Sequence, residues 1–281
     1  MHVCNILMRT HIATFVVMLI LFSPAKTLDL NVKFPEDYVT LPLFNSESTY
    51  LMSLLQSFSD NELGQTMKLS NKMINTVSGW HKKWGTYKDT DSAIKDCALP
   101  CAFAMKGEAY KSLNIKDFND KELNFAQRHL IILSGLYGIL RPFDLIKPYR
   151  LEMGQTMGLD NNFASLNAYW SSLFKKPIKQ KLKEIDANII LNLASDEYSK
   201  VVTRSSVDSR MVTCSFKEET SNGVKSISTF AKQARGEMAR FVIQKEIKEI
   251  EKLKDFNRLG YKINHDLSTL NHIIFTRLTK Q

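Results

Sequence analysis

Residues 18–29 read Met-Leu-Ile-Leu-Phe-Ser-Pro-Ala-Lys-Thr-Leu-Asp, and how this stretch is read decides the fold. The run from Phe15 to Phe22 is β-branched and aromatic-rich and stops at Pro24. That is the pattern of a buried strand followed directly by a polar loop. The competing reading is a secretory signal: Arg9, then an apolar stretch from Ile12 to Phe22, then the small residues Ser23 and Ala25. The apolar stretch is too short to cross a bilayer as a helix. Composition alone leaves strand and signal peptide both open.

Working outward, the pattern alternates between helical and strand periods. Tyr50, Leu51, Leu54, Leu55 and Phe58 have helical spacing over 46–57. Ser59-Asp60-Asn61-Glu62 predicts a cap, and two short helices follow at about 60–67 and 71–79, the second capped by Ser70. The segment 93–104 reads as partly helical. Asn119 to Glu122 caps a predicted helix over 120–133, with Leu123, Phe125, Ala126, Leu130 and Leu133 facing inward. Residues 134–138 read as an apolar strand or turn. Residues 165–186 are helical, with Trp170, Leu173, Ile178 and Leu182 on the buried side. Strands are predicted at 188–194, 211–216 and 226–230, and one long helix at 231–253. The mixture predicts one mixed α/β (α+β) domain with a central sheet flanked by helices.

Bulk properties agree. At 281 residues the chain buries about three quarters of its unfolded surface and needs no staples. Cys4, Cys97, Cys101 and Cys214 have no framework spacing, which points to a reducing compartment. The 38 basic and 29 acidic residues leave a net charge of +9, which favours a polyanionic partner such as nucleic acid. The six histidines show no metal-ligand spacing, so no metal is expected. Nor does any motif ask for a cofactor. Lys175, Lys176, Lys179, Lys181 and Lys183 read as a solvated helix face.

Five stretches carry a resemblance: SPAKTLD at 23–29, MKGEAY at 105–110, LSGLYGILRPFDLIKPYRLEMG at 133–154, NLASDEY at 192–198 and FAKQARGEMARF at 230–241. In order and spacing the chain resembles the YaaA (peroxide stress) family from about Met18 to the C-terminal region. Chains of that family usually open on the Met-Leu-Ile-Leu strand. The resemblance therefore implies a single domain over 18–281, with 1–17 an upstream extension or a misassigned start. It replaces the signal-peptide reading and implies a cytoplasmic protein that limits damage during hydrogen peroxide stress. It further implies lowered available iron, DNA binding, and a helix-hairpin-helix element beside a positively charged cleft. No reaction is attached to the family, so the resemblance implies a binding protein rather than a classical enzyme.

On these grounds the helix pair at 60–80 is the place for the helix-hairpin-helix, with Lys68 and Lys72 at the hairpin. Glycines that would let backbone approach phosphate are missing there. Lys26, Lys106, Arg141, Arg150, Lys232, Arg235 and Arg240 lie in or beside the matched motifs and complete the expected DNA-binding set. The expected partner is duplex, bent or junction DNA, with neither a membrane nor an obligate protein partner. On the helix from 231, Lys232 and Arg235 share a face, and Gly236 is expected to leave that surface open. The competing reading makes some of these cations structural partners of Glu108, Asp144, Glu152, Asp196 or Glu197. A second functional reading assembles Tyr110, Glu152, Asp196 and Glu197 with the cations into an enzyme site for a nucleotide or small phosphate compound.

Overall fold

The computed structural model describes residues 17–159 and 163–279. The predicted extension at 1–17 lies, apart from Val17, outside the described residues. Strands of the main sheet are β1 (Val17–Phe22), β2 (Leu130–Ser134), β3 (Gly138–Leu140), β4 (Ala187–Asn192), β5 (Arg210–Thr220), β6 (Gly223–Lys225), β7 (Lys262–Ile263) and β8 (His272–Leu278). Their order is β7-β8-β5-β4-β1-β2-β3, with β6 hairpinned onto β5. The five inner strands from β8 to β2 are parallel, and antiparallel β3, β6 and β7 complete the sheet. Met18 to Phe22 are all buried, which is why β1 reads as an unbroken apolar run rather than an alternation.

The helices that frame the sheet and the site are α1 (Asn45–Gln56), α2 (Asp60–Met67), α3 (Asn71–Lys82), α4 (Glu108–Leu113), α5 (Asp120–His129), α6 (Leu166–Glu184), α7 (Asp196–Arg204) and α8 (Ser228–Lys245), with short helices also at Thr90–Lys95 and Cys101–Ala104. Capping boxes start α2 and α5: the Ser59 hydroxyl accepts from the Glu62 amide at 3.3 Å and Asn119 Oδ1 from the Glu122 amide at 3.0 Å. Packing places α5 against β1 and β2, α6 against β3 and β4, and α8 against β5. The lysines at 175, 176, 179 and 183 are exposed on α6, as expected of a solvated face, but Lys181 is half-buried and pairs with Glu184 at 3.5 Å.

Four local expectations are corrected. The helix from 120 stops at His129, and Leu130 to Ser134 form β2 instead of its last turn. The predicted strand over 226–230 is the start of α8, preceded by β6. The helix predicted to reach 253 ends at Lys245, where Glu246 turns into the left-handed region at φ 45°, and a 3₁₀ helix follows at Ile250–Asp255. Ser70 occupies the N-cap position of α3, but its side chain makes no capping hydrogen bond.

β8 sits parallel beside β5 and is anchored there by the fully buried Glu218. Arg277 Nε donates to both oxygens of Glu218 at 3.0 Å, and the Tyr261 hydroxyl donates to the same carboxylate. The buried carboxylate thus has both an ion-pair partner and hydrogen bonds, which is what a buried charge requires.

Candidate functional site

The chain leaves β1 toward β2 on one side, and leaves β4 toward β5 on the other. Neighbouring parallel strands whose connections depart in opposite directions open a crevice beyond their carboxyl ends, and open α/β sheets bind ligands there. In this protein the crevice holds a cleft of about 540 Å³. The loops after the two strands are tied together: the Ser195 amide donates to Ser23 Oγ at 2.8 Å.

Each wall has a local cause. Beyond Ser23 the chain forms a two-residue ladder, Thr27–Leu28 against Met105–Lys106, which brings Lys26 and Lys106 to the same rim. The Tyr110 hydroxyl, on α4, donates to the Ser23 carbonyl at 2.9 Å. The segment 149–152 crosses the β2–β3 turn so closely that a Cβ on Gly135 would sit 2.4 Å from the Leu151 carbonyl oxygen. Only glycine allows that approach, and it delivers Arg150 and Glu152 to the cleft. The opposite wall is α8, whose Thr229, Lys232 and Arg235 face the cleft at helical spacing. Gly236 lies behind them. A Cβ there would meet the Ala109 carbonyl oxygen at 2.1 Å, so the glycine closes α8 onto α4 instead of opening a surface.

Five of the nine expected cations therefore meet in one place: Lys26, Lys106, Arg150, Lys232 and Arg235. The other four lie elsewhere. Arg141 donates from Nη2 to Asp144 at 2.9 Å and to the Leu41 carbonyl at 3.3 Å. Arg240 donates to the Leu113 and Asn114 carbonyls at 3.1 and 2.8 Å and stacks on Phe118. Lys68 and Lys72 are exposed at the α2–α3 connection. That helix pair is joined to the cleft wall by a hydrogen bond, the Arg150 amide donating to His81 Nε2 at 3.3 Å.

The charges within the cleft are unequal. Glu152 is held by both Lys26 at 2.5 Å and Arg150 at 2.9 Å. Glu108 is occupied by Lys111 at 2.8 Å and by Gln233 at 2.6 Å. Glu197 accepts the Gly154 amide at 2.8 Å. Among the described residues, Lys106, Lys232 and Arg235 form no ion pair. Burial pulls the Arg235 guanidinium down and the charge of Asp196 pushes it up, but an arginine stays protonated throughout. Burial pushes the phenols of Tyr110, Tyr149 and Tyr198 up, so these groups are neutral hydroxyls. No group of three or more His, Cys, Asp or Glu side chains among the described residues could hold a metal. Cys101 is buried with its thiol against the Arg141 carbonyl at 3.1 Å, and burial raises its pKa, the setting of an inert cysteine.

Sequence reasoning named the cations, Glu152 and Tyr110, but passed over Ser23, Tyr149, Ser195 and Tyr198. All four stand inside the motifs quoted above, next to residues that were named. The arrangement is a concave, cation-rimmed cleft on an open, mostly parallel α/β sheet.

Residues 18–267 match the family described as peroxide stress protein YaaA. The UPF0246 protein of Tolumonas auensis is 38% identical over 260 residues, covering 92% of this chain and 98% of its own. The UPF0246 protein of Crocosphaera subtropica is 34% identical over 260 residues, covering 92% of this chain and 100% of its own. The chain belongs to the peroxide stress protein YaaA family.

Proposed function

We propose that this protein binds the DNA backbone at the cleft beyond β1 and β4, and that this binding is its contribution to survival of peroxide stress. The observation that carries the reading is the convergence of Lys26, Lys106, Arg150, Lys232 and Arg235 on one crevice, three of them in no direct ion pair among the described residues. Cations held at a concave site without partners attract phosphate. The contacts are to backbone, so recognition is tolerant of sequence. Arg150 and Lys26 share Glu152, which fixes their geometry and leaves that carboxylate little freedom to act as a general base. Iron-dependent damage is limited in this reading by occupying DNA, since no ligand cluster among the described residues supports chelation. The pair α2–α3, with Lys68 and Lys72 exposed at its connection, extends the contact surface as the helix-hairpin-helix.

Fluorescence anisotropy of the full chain with linear, bent and four-way-junction DNA across a salt series tests this. Three to five phosphate contacts give a log–log slope of roughly −3 to −4.5, at about −0.9 per phosphate. No binding at low salt ends the proposal.

A further inference from the structure

We propose that the interior of the cleft is a phosphate-monoester site, taking the terminal phosphate of a nucleotide or strand end, while phosphodiesters inside a strand reach only its rim. The inference rests on the anion-binding reading above and narrows it.

The first reason is size. A cleft of about 540 Å³ falls in the range of pockets that enclose one small ligand. One nucleotide enters such a space and a duplex does not. Only a strand end or a free nucleotide can bring phosphate to the interior groups.

The second reason is where the unspent charge lies. Lys26 and Arg150 are both committed to Glu152 on one wall. Lys106 shares a rim with Lys26 but not its carboxylate, and Lys232 and Arg235 stand on the opposite wall. Among the described residues none of the three forms an ion pair, Glu108 is held by Lys111 and Gln233, and Asp196 acts on Arg235 without direct contact. A diester carries one negative charge, whereas a monoester carries about −1.5 to −2 at neutral pH with three strong acceptor oxygens. Three cations without a direct ion pair among the described residues suit the dianion better than a single charge. Arg235 supplies the planar fork that grips two oxygens at once, and its partly buried setting strengthens the contact. The neutral hydroxyls of Tyr110, Tyr149 and Tyr198 add no charge to oppose a dianion.

The test compares four probes on the full chain. These are a covalently closed dumbbell duplex without ends, the same duplex opened with hydroxyl ends, that duplex with 5′- or 3′-phosphate ends, and deoxyadenosine monophosphate titrated by calorimetry. The expected result is that one phosphorylated end binds about tenfold tighter than the hydroxyl end, the scale of one charge-assisted hydrogen bond. Arg235→Ala abolishes that preference and Arg235→Lys retains part of it, with circular dichroism unchanged in both. Equal affinity for hydroxyl and phosphate ends, with no nucleotide binding, overturns the monoester site while dumbbell binding keeps the DNA reading. Arg235-dependent nucleotide binding with no duplex bound supports the monoester site and removes the DNA reading. Silence from all four probes removes both.

Discussion

The amide of Ser195 donates to the hydroxyl of Ser23 at 2.8 Å across 172 residues of sequence. With the Ser23 hydroxyl donating to Ser195 Oγ at 3.4 Å, it ties the ends of β4 and β1 together at the point where the cleft opens. Ser23 is held from the other side as well, its carbonyl accepting from Tyr110. Ser23→Ala leaves the Ser195 amide without its acceptor, at a cost of about 1–2 kcal/mol. Urea unfolding measures that loss, and DNA affinity falls with it because the two rims are no longer fixed.

Gly236→Ala drives a methyl into the Ala109 carbonyl oxygen. The change favours helix propensity, yet the clash dominates, because the obstacle is backbone and cannot swing away. We expect a net loss of about 1–3 kcal/mol, read as a lower Tm. A rise in Tm shows that α8 and α4 separate freely and that the glycine serves no packing purpose.

The nine expected cations divide into two classes by what removal does. Arg240→Ala strips donors from two carbonyls and Arg141→Ala leaves Asp144, 1% exposed, without its ion-pair partner. Each lowers stability by roughly 1–3 kcal/mol. Lys106→Ala and Lys232→Ala remove exposed, uncommitted charges and leave Tm within about 1 °C, while each reduces the salt slope of DNA binding by about one. Thermal melts beside anisotropy separate the classes.

The helix pair is tested by charge reversal. Lys68→Glu with Lys72→Glu is expected to weaken DNA binding severalfold without changing the fold, since both side chains are exposed. Unchanged affinity leaves α2–α3 as a packing unit alone.

Two buried histidines set a pH dependence. Burial lowers both His81 and His129 to about 4, against an ordinary 6.5. Between those values the unfolded chain binds more protons than the native one, so stability falls as pH drops from 6.5 toward 4. Above 6.5 the contribution is fully present. Each histidine accounts for at most about 3 kcal/mol across that window. His129→Gln is expected to flatten the slope of unfolding free energy against pH; an unaltered slope places the proton uptake elsewhere.

Much of this fold was legible because its apolar runs are long and its caps are explicit. α1, the α2–α3 pair, α6 and β4 follow from pattern and punctuation, whereas β1 needed the family resemblance to part a strand from a signal peptide. The misreadings share a cause. Leu130-Ile131-Ile132-Leu133 continues the helical stripe of Leu123 and Ala126 and is equally a buried strand. Neither glycine nor proline marks the change at His129, so only pairing with β1 resolves it. At the end of α8 the left-handed position falls on Glu246, where the usual glycine signal is absent. His272–Leu278 has the β-branched and aromatic residues of a strand, but its insertion parallel to β5 depends on Glu218, far away in sequence. In the site, residue types pointed to the cations but not to their commitments. Whether Lys26 or Arg235 is spoken for depends on where Glu152 and Asp196 come to rest, and no local pattern encodes that.

The place of β1 in the sheet has a consequence for synthesis. Its two neighbours are β2 and β4, so the most apolar strand of the chain emerges from the ribosome long before either partner exists. At 5–20 residues per second, the 172 residues separating Ser23 from Ser195 take roughly 10–30 s to make. Throughout that interval β1 needs shelter from other nascent chains, and the anion site has no floor. A partly made chain therefore cannot compete for phosphate. Binding competence arrives late, as a property of molecules that have been translated past α8, whose Lys232 and Arg235 complete the site.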